Sequence, residues 1–123
     1  MAFDEHLVAR IQKQLGATEG VAELKLFGGW CASVGGNMAV GVLGDDLIVR
    51  VGADAYDDAL QRPGVREFDF GGRPMAGWVF VSATGVTRTR ELAAWVDRAV
   101  GFARSLPPKQ PGSRSRSRPA RGS

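Results

Sequence analysis

Residues 23–51 read ELKLFGGWCASVGGNMAVGVLGDDLIVRV, and this stretch decides the fold. Short apolar runs alternate here with clusters of glycine, asparagine and aspartate. These residues tolerate the positive φ angles that tight turns between antiparallel strands require. The pattern therefore predicts a meander of strands near residues 22–27, 30–34, 38–43 and 47–51.

Alternation along these strands predicts a sheet with one well-packed face. In the third strand, Val40 and Val42 share one side, while Ala39 and Gly41 take the other. The fourth strand alternates in the same way. Because Ala39 and Gly41 are small, we expect a helix to approach the sheet closely on their side.

Helical patterns flank the meander. Residues 3–15 repeat an apolar side chain every four positions, and Gly16 suits the end of such a helix. Residues 89–106 carry a longer apolar stripe, which we expect to begin at an N-cap threonine, Thr87 or Thr89. Pro107 then stops the helix. The stripe consists of Leu92, Trp95, Val96, Ala99, Val100, Ala103 and Leu106.

The region between the meander and the last helix completes the fold class. We predict a short helix over residues 53–61, a strand over 66–70, a turn at 71–74 and a last strand over 77–82. Together the elements predict an α+β fold. It consists of an antiparallel β-sheet meander flanked by N-terminal and C-terminal helices, with a short helix inserted before the last strands.

Charge divides the chain into two parts. The whole sequence of 123 residues has a net charge of +3. Subtracting five tail cations from the 16 basic residues leaves 11, against 13 acidic ones, so residues 1–106 carry −2. We predict one domain over 1–106 and a disordered basic Ser/Arg/Pro tail over 107–123, because the tail has nothing large and apolar to bury. The tail cations are Lys109, Arg114, Arg116, Arg118 and Arg121.

The single cysteine and the N-terminus predict a cytoplasmic protein without a membrane partner. Cys31 has no second cysteine for an intramolecular disulfide, which fits a reducing compartment. The first residues lack the basic region and apolar stretch of a signal peptide. No apolar run approaches the roughly 20 residues that a membrane-spanning helix needs.

Four short motifs occur in order along the chain: Lys25-x-Phe27-Gly28-Gly29, Gly36-x-Met38, Val49-Arg50-Val51-Gly52 and Gly72-Arg73-Pro74-Met75-x-Gly77. Together they resemble the TfoX N-terminal domain family, and the resemblance runs from the first helix to about Leu106. It implies an α+β domain. Founding members of that family are transcriptional coactivators of natural competence that act with a cyclic-AMP receptor protein. They carry a second, C-terminal helical domain, in whose place we expect only the basic tail here.

Neither the residues nor the resemblance predicts catalysis, a metal or a cofactor. His6 and Cys31 lack the paired spacing of a zinc site. Cys31 as a nucleophile needs a base beside it, and His6 is the only histidine. The resemblance supplies no catalytic or metal-binding residues. A small enzyme, or a redox sensor that uses Cys31, is the less favoured alternative.

Two groups of cations are the candidate binding residues. Lys25, Arg50, Arg66 and Arg73 lie in or beside predicted strands and, if they converge, form a site for an anion or an acidic partner. Scattered surface cations with local ion pairs are the competing interpretation. The basic tail suits weak, sequence-independent contacts with nucleic-acid phosphates, and an inert solubilising tail is its alternative.

We therefore predict a non-catalytic regulatory and interaction module. The resemblance implies a protein partner in the transcription machinery, and the tail adds weak binding to nucleic acid. The alternative is a stand-alone domain that binds a small ligand or anion through the strand cations. The oligomeric state is left open.

Overall fold

The computed structural model describes residues 3–16, 18–26, 28–70 and 73–107. The predicted turn glycines 71 and 72 and the five tail cations lie outside these residues. The described elements, in chain order, are α1 (Glu5–Leu15), β1 (Val21–Leu26), β2 (Gly29–Val34), β3 (Asn37–Leu43), β4 (Asp46–Arg50), a 3₁₀ turn (Ala53–Ala55), α2 (Tyr56–Leu60), β5 (Val65–Phe70), β6 (Arg73–Val81), a 3₁₀ turn (Ala83–Val86) and α3 (Thr89–Ser105).

All six strands form one antiparallel sheet in the order β1-β2-β3-β4-β6-β5. The first four strands follow each other as the turn glycines predict. Strand β6 then pairs with β4, and β5 pairs with β6 at the far edge of the sheet. The α+β fold with helices before and after the sheet is confirmed.

The two faces of the sheet differ. The inner face packs against α1 and α3, and its side chains form the hydrophobic core. On the other face, which we call the outer face, Ile48 and Phe68 are only 7% and 9% exposed but belong to no part of that core. The fully buried inner-face side chains of the central strands are Val40, Val42, Leu47, Val49, Val79 and Val81.

A register shift between β2 and β3 changes the environment of Ala39. Ala32 pairs with Val40 but Ser33 pairs with Met38, so Ala39 is an extra residue and is fully buried in the core with Val40. Such an extra residue is the mark of a β-bulge.

At Gly41 the expected close approach of a helix is wrong. A Cβ atom at Gly41 would lie 2.9 Å from the carbonyl oxygen of Trp30 and 3.3 Å from the methyl carbon of Met38. The neighbouring strand β2 and the Met38 side chain of β3 itself therefore crowd this position.

The first helix begins two residues later than predicted. The Asp4 carboxylate accepts hydrogen bonds from the N–H groups of His6 (2.9 Å) and Leu7 (3.2 Å), which makes Asp4 the N-cap. Phe3 instead forms an isolated bridge with Gly44. The predicted terminator Gly16 is confirmed, since its φ is +47° and its N–H reaches the Gln12 carbonyl.

The N-cap prediction for α3 is also wrong. The cap is Arg88, whose backbone N–H donates to the Glu91 carboxylate at 3.0 Å. The Thr87 hydroxyl is used elsewhere and donates to the carbonyl of Thr84, in the preceding 3₁₀ turn. The predicted stripe is confirmed at its centre, where α3 buries Leu92, Trp95, Val96, Ala99 and Ala103.

Between these helices, two boundaries move. The predicted helix over residues 53–61 divides into a 3₁₀ turn and α2. Strand β6 begins at Arg73, four residues earlier than predicted, and includes Pro74. This proline is tolerated because β4 pairs with β6 only as far as Trp78, so no bond to β4 is lost. None of the described helices has the length and apolarity needed to cross a bilayer.

Candidate functional site

The outer face of β4, β6 and β5 carries two arginines among aromatic rings. The pairings place Arg50 opposite Trp78, and Arg66 opposite Phe80. Side chains alternate along a strand, so Trp78 and Phe80 lie on the side opposite to the buried Val79. We call Arg50, Arg66, Phe68, Trp78 and Phe80 the arginine–aromatic patch.

Arg50 is the most distinctive member of the patch. Its guanidinium carbon lies 5.1 Å from the centre of the Trp78 ring and 5.3 Å from the centre of the Phe102 ring on α3. Both distances suit cation–π attraction. The side chain is half-buried, and among the described residues no carboxylate forms an ion pair with it. Its planar N–H donors are therefore held in place and remain available to an acceptor from outside.

Arg66 is neutralised within the chain. Its guanidinium forms an ion pair with Asp46 at 2.6 Å and lies 4.6 Å from the centre of the Phe80 ring. Glu23, Glu67 and Asp69 are the acids that the sequence places beside the strand cations, but the strand order brings Asp46 to Arg66 instead. Because a partner charge already satisfies Arg66, the charge that the patch offers to a ligand is mainly that of Arg50.

The aromatic rings of the patch hold each other in place. The Phe68 ring centre lies 4.9 Å from that of Phe80 and 6.1 Å from that of Trp78, in tilted arrangements. Such geometry is favourable for aromatic pairs. Phe68 is buried beneath the other two rings, which are half-buried. The patch is thus a packed surface with its two outer rings partly open.

The four strand cations do not all meet. Arg50 and Arg66 lie on the same face, one on either side of β6. Lys25 lies on β1, at the other edge of the sheet, with its ammonium nitrogen 5.9 Å from the centre of the Phe3 ring. The side chain of Arg73 lies outside what the structure describes. Of the three predicted cations whose side chains the structure describes, Arg50 and Arg66 contribute to the patch and Lys25 does not.

Cys31 and His6 lie on different sides of the sheet. Cys31 pairs with Gly41 on the outer face and is half-buried, and this burial raises the pKa of its thiol. A raised pKa disfavours the reactive thiolate. His6 is exposed on α1, which packs against the inner face. Within the described ranges, no group of three or more metal-ligating side chains occurs.

Sequence reasoning missed the aromatic half of the patch. The sequence predicts a last strand over residues 77–82 and gives Trp78 and Phe80 no binding role, although their spacing already places both on one face. That alternation was the available signal. What the sequence could not show is that β6 lies between β4 and β5, which brings both arginines beside these rings.

Comparison with curated proteins found no match, and comparison with solved structures found none either. The family model of the TfoX N-terminal domain matches residues 13–103. This range begins within α1, contains the whole sheet and ends within α3. It also contains every residue of the arginine–aromatic patch. The chain therefore belongs to the TfoX N-terminal domain family.

Proposed function

We propose that this chain is a non-catalytic regulatory module that binds a protein partner in the cytoplasm through the arginine–aromatic patch. The observation that carries the proposal is the position of Arg50, held between Trp78 and Phe102 with no described carboxylate paired to it. An acidic side chain of the partner can satisfy its donors.

The composition of the patch supports a protein partner. Arginine, tryptophan and other aromatic residues are enriched at the centres of protein interfaces, where a few of them supply most of the binding energy. The rings around Arg50 also restrict its motion before binding, so less conformational entropy is lost when a partner docks. A rigid, partly apolar surface with one available guanidinium suits an acidic group flanked by apolar side chains.

Family membership supports a role in transcription regulation. The founding members to which this chain is similar act as coactivators, so we place the partner in the transcription machinery. Burial raises the pKa of the Cys31 thiol, which disfavours cysteine-based catalysis or redox sensing through this residue.

The test begins with capture of a partner from the source cells by the full chain, followed by calorimetric titration of the purified partner. Arg50→Glu should weaken binding at least about thirtyfold, the effect of losing one interface hot spot. Arg50→Lys keeps the charge but loses the stacked planar group, so we expect an intermediate affinity. Arg90→Glu, at an exposed arginine of α3, is the matched control and should change the affinity by less than about threefold. Equal binding by the wild-type chain and Arg50→Glu would refute the proposal.

A stand-alone anion-binding domain is the second candidate, and Arg50 favours it too. A guanidinium whose N–H groups are unpaired can donate hydrogen bonds to a small carboxylate or phosphate. Calorimetry of the full chain with succinate and with inorganic phosphate separates the two functions. Saturable binding that Arg50→Glu abolishes supports the anion-binding domain. If neither anion binds while a protein partner does, only the protein-interaction function is supported.

A further inference from the structure

Strand β1 is an open edge of the sheet. It pairs with β2 without a break from Val21 opposite Val34 to Leu26 opposite Gly29, and no described strand pairs with its other side. The other edge strand, β5, is irregular, with a register shift between Glu67 and Asp69. Bulges and irregular register protect an edge against further pairing. Strand β1 lacks this protection.

The backbone groups on the free side of β1 can be identified. Gly35 donates its N–H to the Gly20 carbonyl at 3.0 Å, so these two residues form a hydrogen-bonded pair. Hydrogen-bonded and non-hydrogen-bonded pairs alternate along an antiparallel ladder. The N–H and C=O groups of Val21, Glu23 and Lys25 therefore point away from β2.

Side chains along this edge form a pattern that reads the same under a twofold rotation. Leu24 is 59% exposed, and it lies between an acid, Glu23, and a base, Lys25. If two such strands align antiparallel with Leu24 opposite Leu24, each Glu23 falls opposite a Lys25. Opposite charges in directly facing positions stabilise a strand pair.

We propose that β1 is the docking edge for β1 of a second copy of this chain, in antiparallel register centred on Leu24. Glu23 of each copy then exchanges two backbone hydrogen bonds with Lys25 of the other, because both residues have their free groups on this side. The two sheets continue as one, and the exposed Leu24 side chains meet at the centre of the outer face.

Neighbouring registers are disfavoured by the same charges. A twofold axis at Glu23 would set two carboxylates opposite each other, and an axis at Lys25 would set two ammonium groups opposite each other. Facing like charges are destabilising. The charge order along β1 therefore selects the register centred on Leu24.

Both charged side chains lie on the same face of β1, as cross-strand pairs require, because they are opposite the buried Ala32 and Trp30. One Glu23 oxygen, Oε1, accepts hydrogen bonds from Gln12 Nε2 at 2.7 Å and from Trp30 Nε1 at 3.1 Å. These bonds fix the carboxylate and leave Oε2 for a lysine. Lys25 is exposed, and no carboxylate of the described ranges forms an ion pair with it.

Charge reversal tests the proposal on the full chain by sedimentation velocity over a concentration series. The wild-type chain should dimerise. Glu23→Lys and Lys25→Glu each replace two attractive pairs with two repulsive ones, so each should raise the dimer Kd at least about tenfold. Asp69→Lys, an exposed acid on the other edge strand, is the matched control and should leave the Kd unchanged.

Recovery of dimerisation by complementary charge reversals distinguishes loss of the docking contact from damage to the fold. An equimolar mixture of the Glu23→Lys and Lys25→Glu variants should form a heterodimer, because both of its cross-strand pairs are attractive. The chain carrying both substitutions should again form a homodimer. Circular dichroism checks that each variant is folded.

Three results would overturn the proposal. The first is a wild-type chain that stays monomeric up to about 1 mM. The second is a dimer that the single reversals leave intact, or that neither the mixture nor the double reversal restores. The third is a monomer whose Glu23 and Lys25 amides are protected from hydrogen exchange, which would place another segment of the same chain on this edge.

Discussion

At the scale of single residues, Gly52, which follows the end of β4, makes room for the Phe102 ring beside Arg50. Its φ is +87° and its ψ is 157°, a combination that is essentially restricted to glycine. A Cβ atom there would lie 2.4 Å from Cε1 of Phe102. Because Gly52 has no side chain, the Phe102 ring can lie against the backbone. From there its centre is 5.3 Å from the guanidinium carbon of Arg50.

Gly52→Ala should lower the free energy of unfolding by about 2–4 kcal/mol, because backbone strain and a clash with Phe102 add together. Chemical denaturation measures the loss. Gly101→Ala is the control: nothing lies within 4 Å of its Cβ position inside α3, so the change should add about 0.5–1 kcal/mol. In a Phe102→Ala background, Gly52→Ala should cost less, since only the strain remains. A neutral Gly52→Ala would contradict this account.

At the scale of elements, the sequence predicted what depends on local patterns. Glycine turns defined the four-strand meander, and the stripe around Trp95 defined α3. It did not predict the bulge at Ala39, because a strict period of two assigns Ala39 and Val40 to opposite faces while the bulge buries both. The Arg88 cap was missed because the acceptor belongs to Glu91, three residues further on.

The start of α1 depends on a single side chain. Asp4→Ala removes the acceptor of two N–H groups and should destabilise the protein by about 1 kcal/mol. Asp4→Asn should retain most of the stability, because asparagine caps helices about as well. Glu5→Ala, at an exposed acid of the first turn, is the control and should lose no more than about 0.5 kcal/mol. Thermal or urea unfolding of the three variants decides whether the cap or the first-turn charge matters more.

At the scale of the whole molecule, the candidate site depended on the order of the strands. Arg50 and Arg66 stood out in the sequence as strand cations, and both lie in the patch. Their separate roles did not follow from the sequence. The pairing of Arg66 with Asp46, and the position of Arg50 between rings from β6 and α3, arise only when distant segments meet.

Charge distribution over the chain predicts where nucleic acid binds. Residues 1–106 carry −2, so duplex DNA should bind the full chain through the five tail cations. The plot of log K against log salt should be no steeper than about −4.5. Replacing all five with glutamine should abolish binding in fluorescence anisotropy, whereas Arg50→Glu should retain it. DNA binding that survives the five replacements would move the nucleic-acid site onto the domain.

The strand order also has a consequence for the folding pathway. Among themselves, strands β1 to β4 pair only as sequence neighbours, so the hairpins of the meander close short loops. The pairing of β4 with β6 must instead enclose α2 and β5, and the entropy cost of closing a loop grows with its length. Local contacts favour fast folding. We therefore expect the meander to form first and the β5–β6 hairpin to join it late, so that the arginine–aromatic patch assembles in the last step of folding.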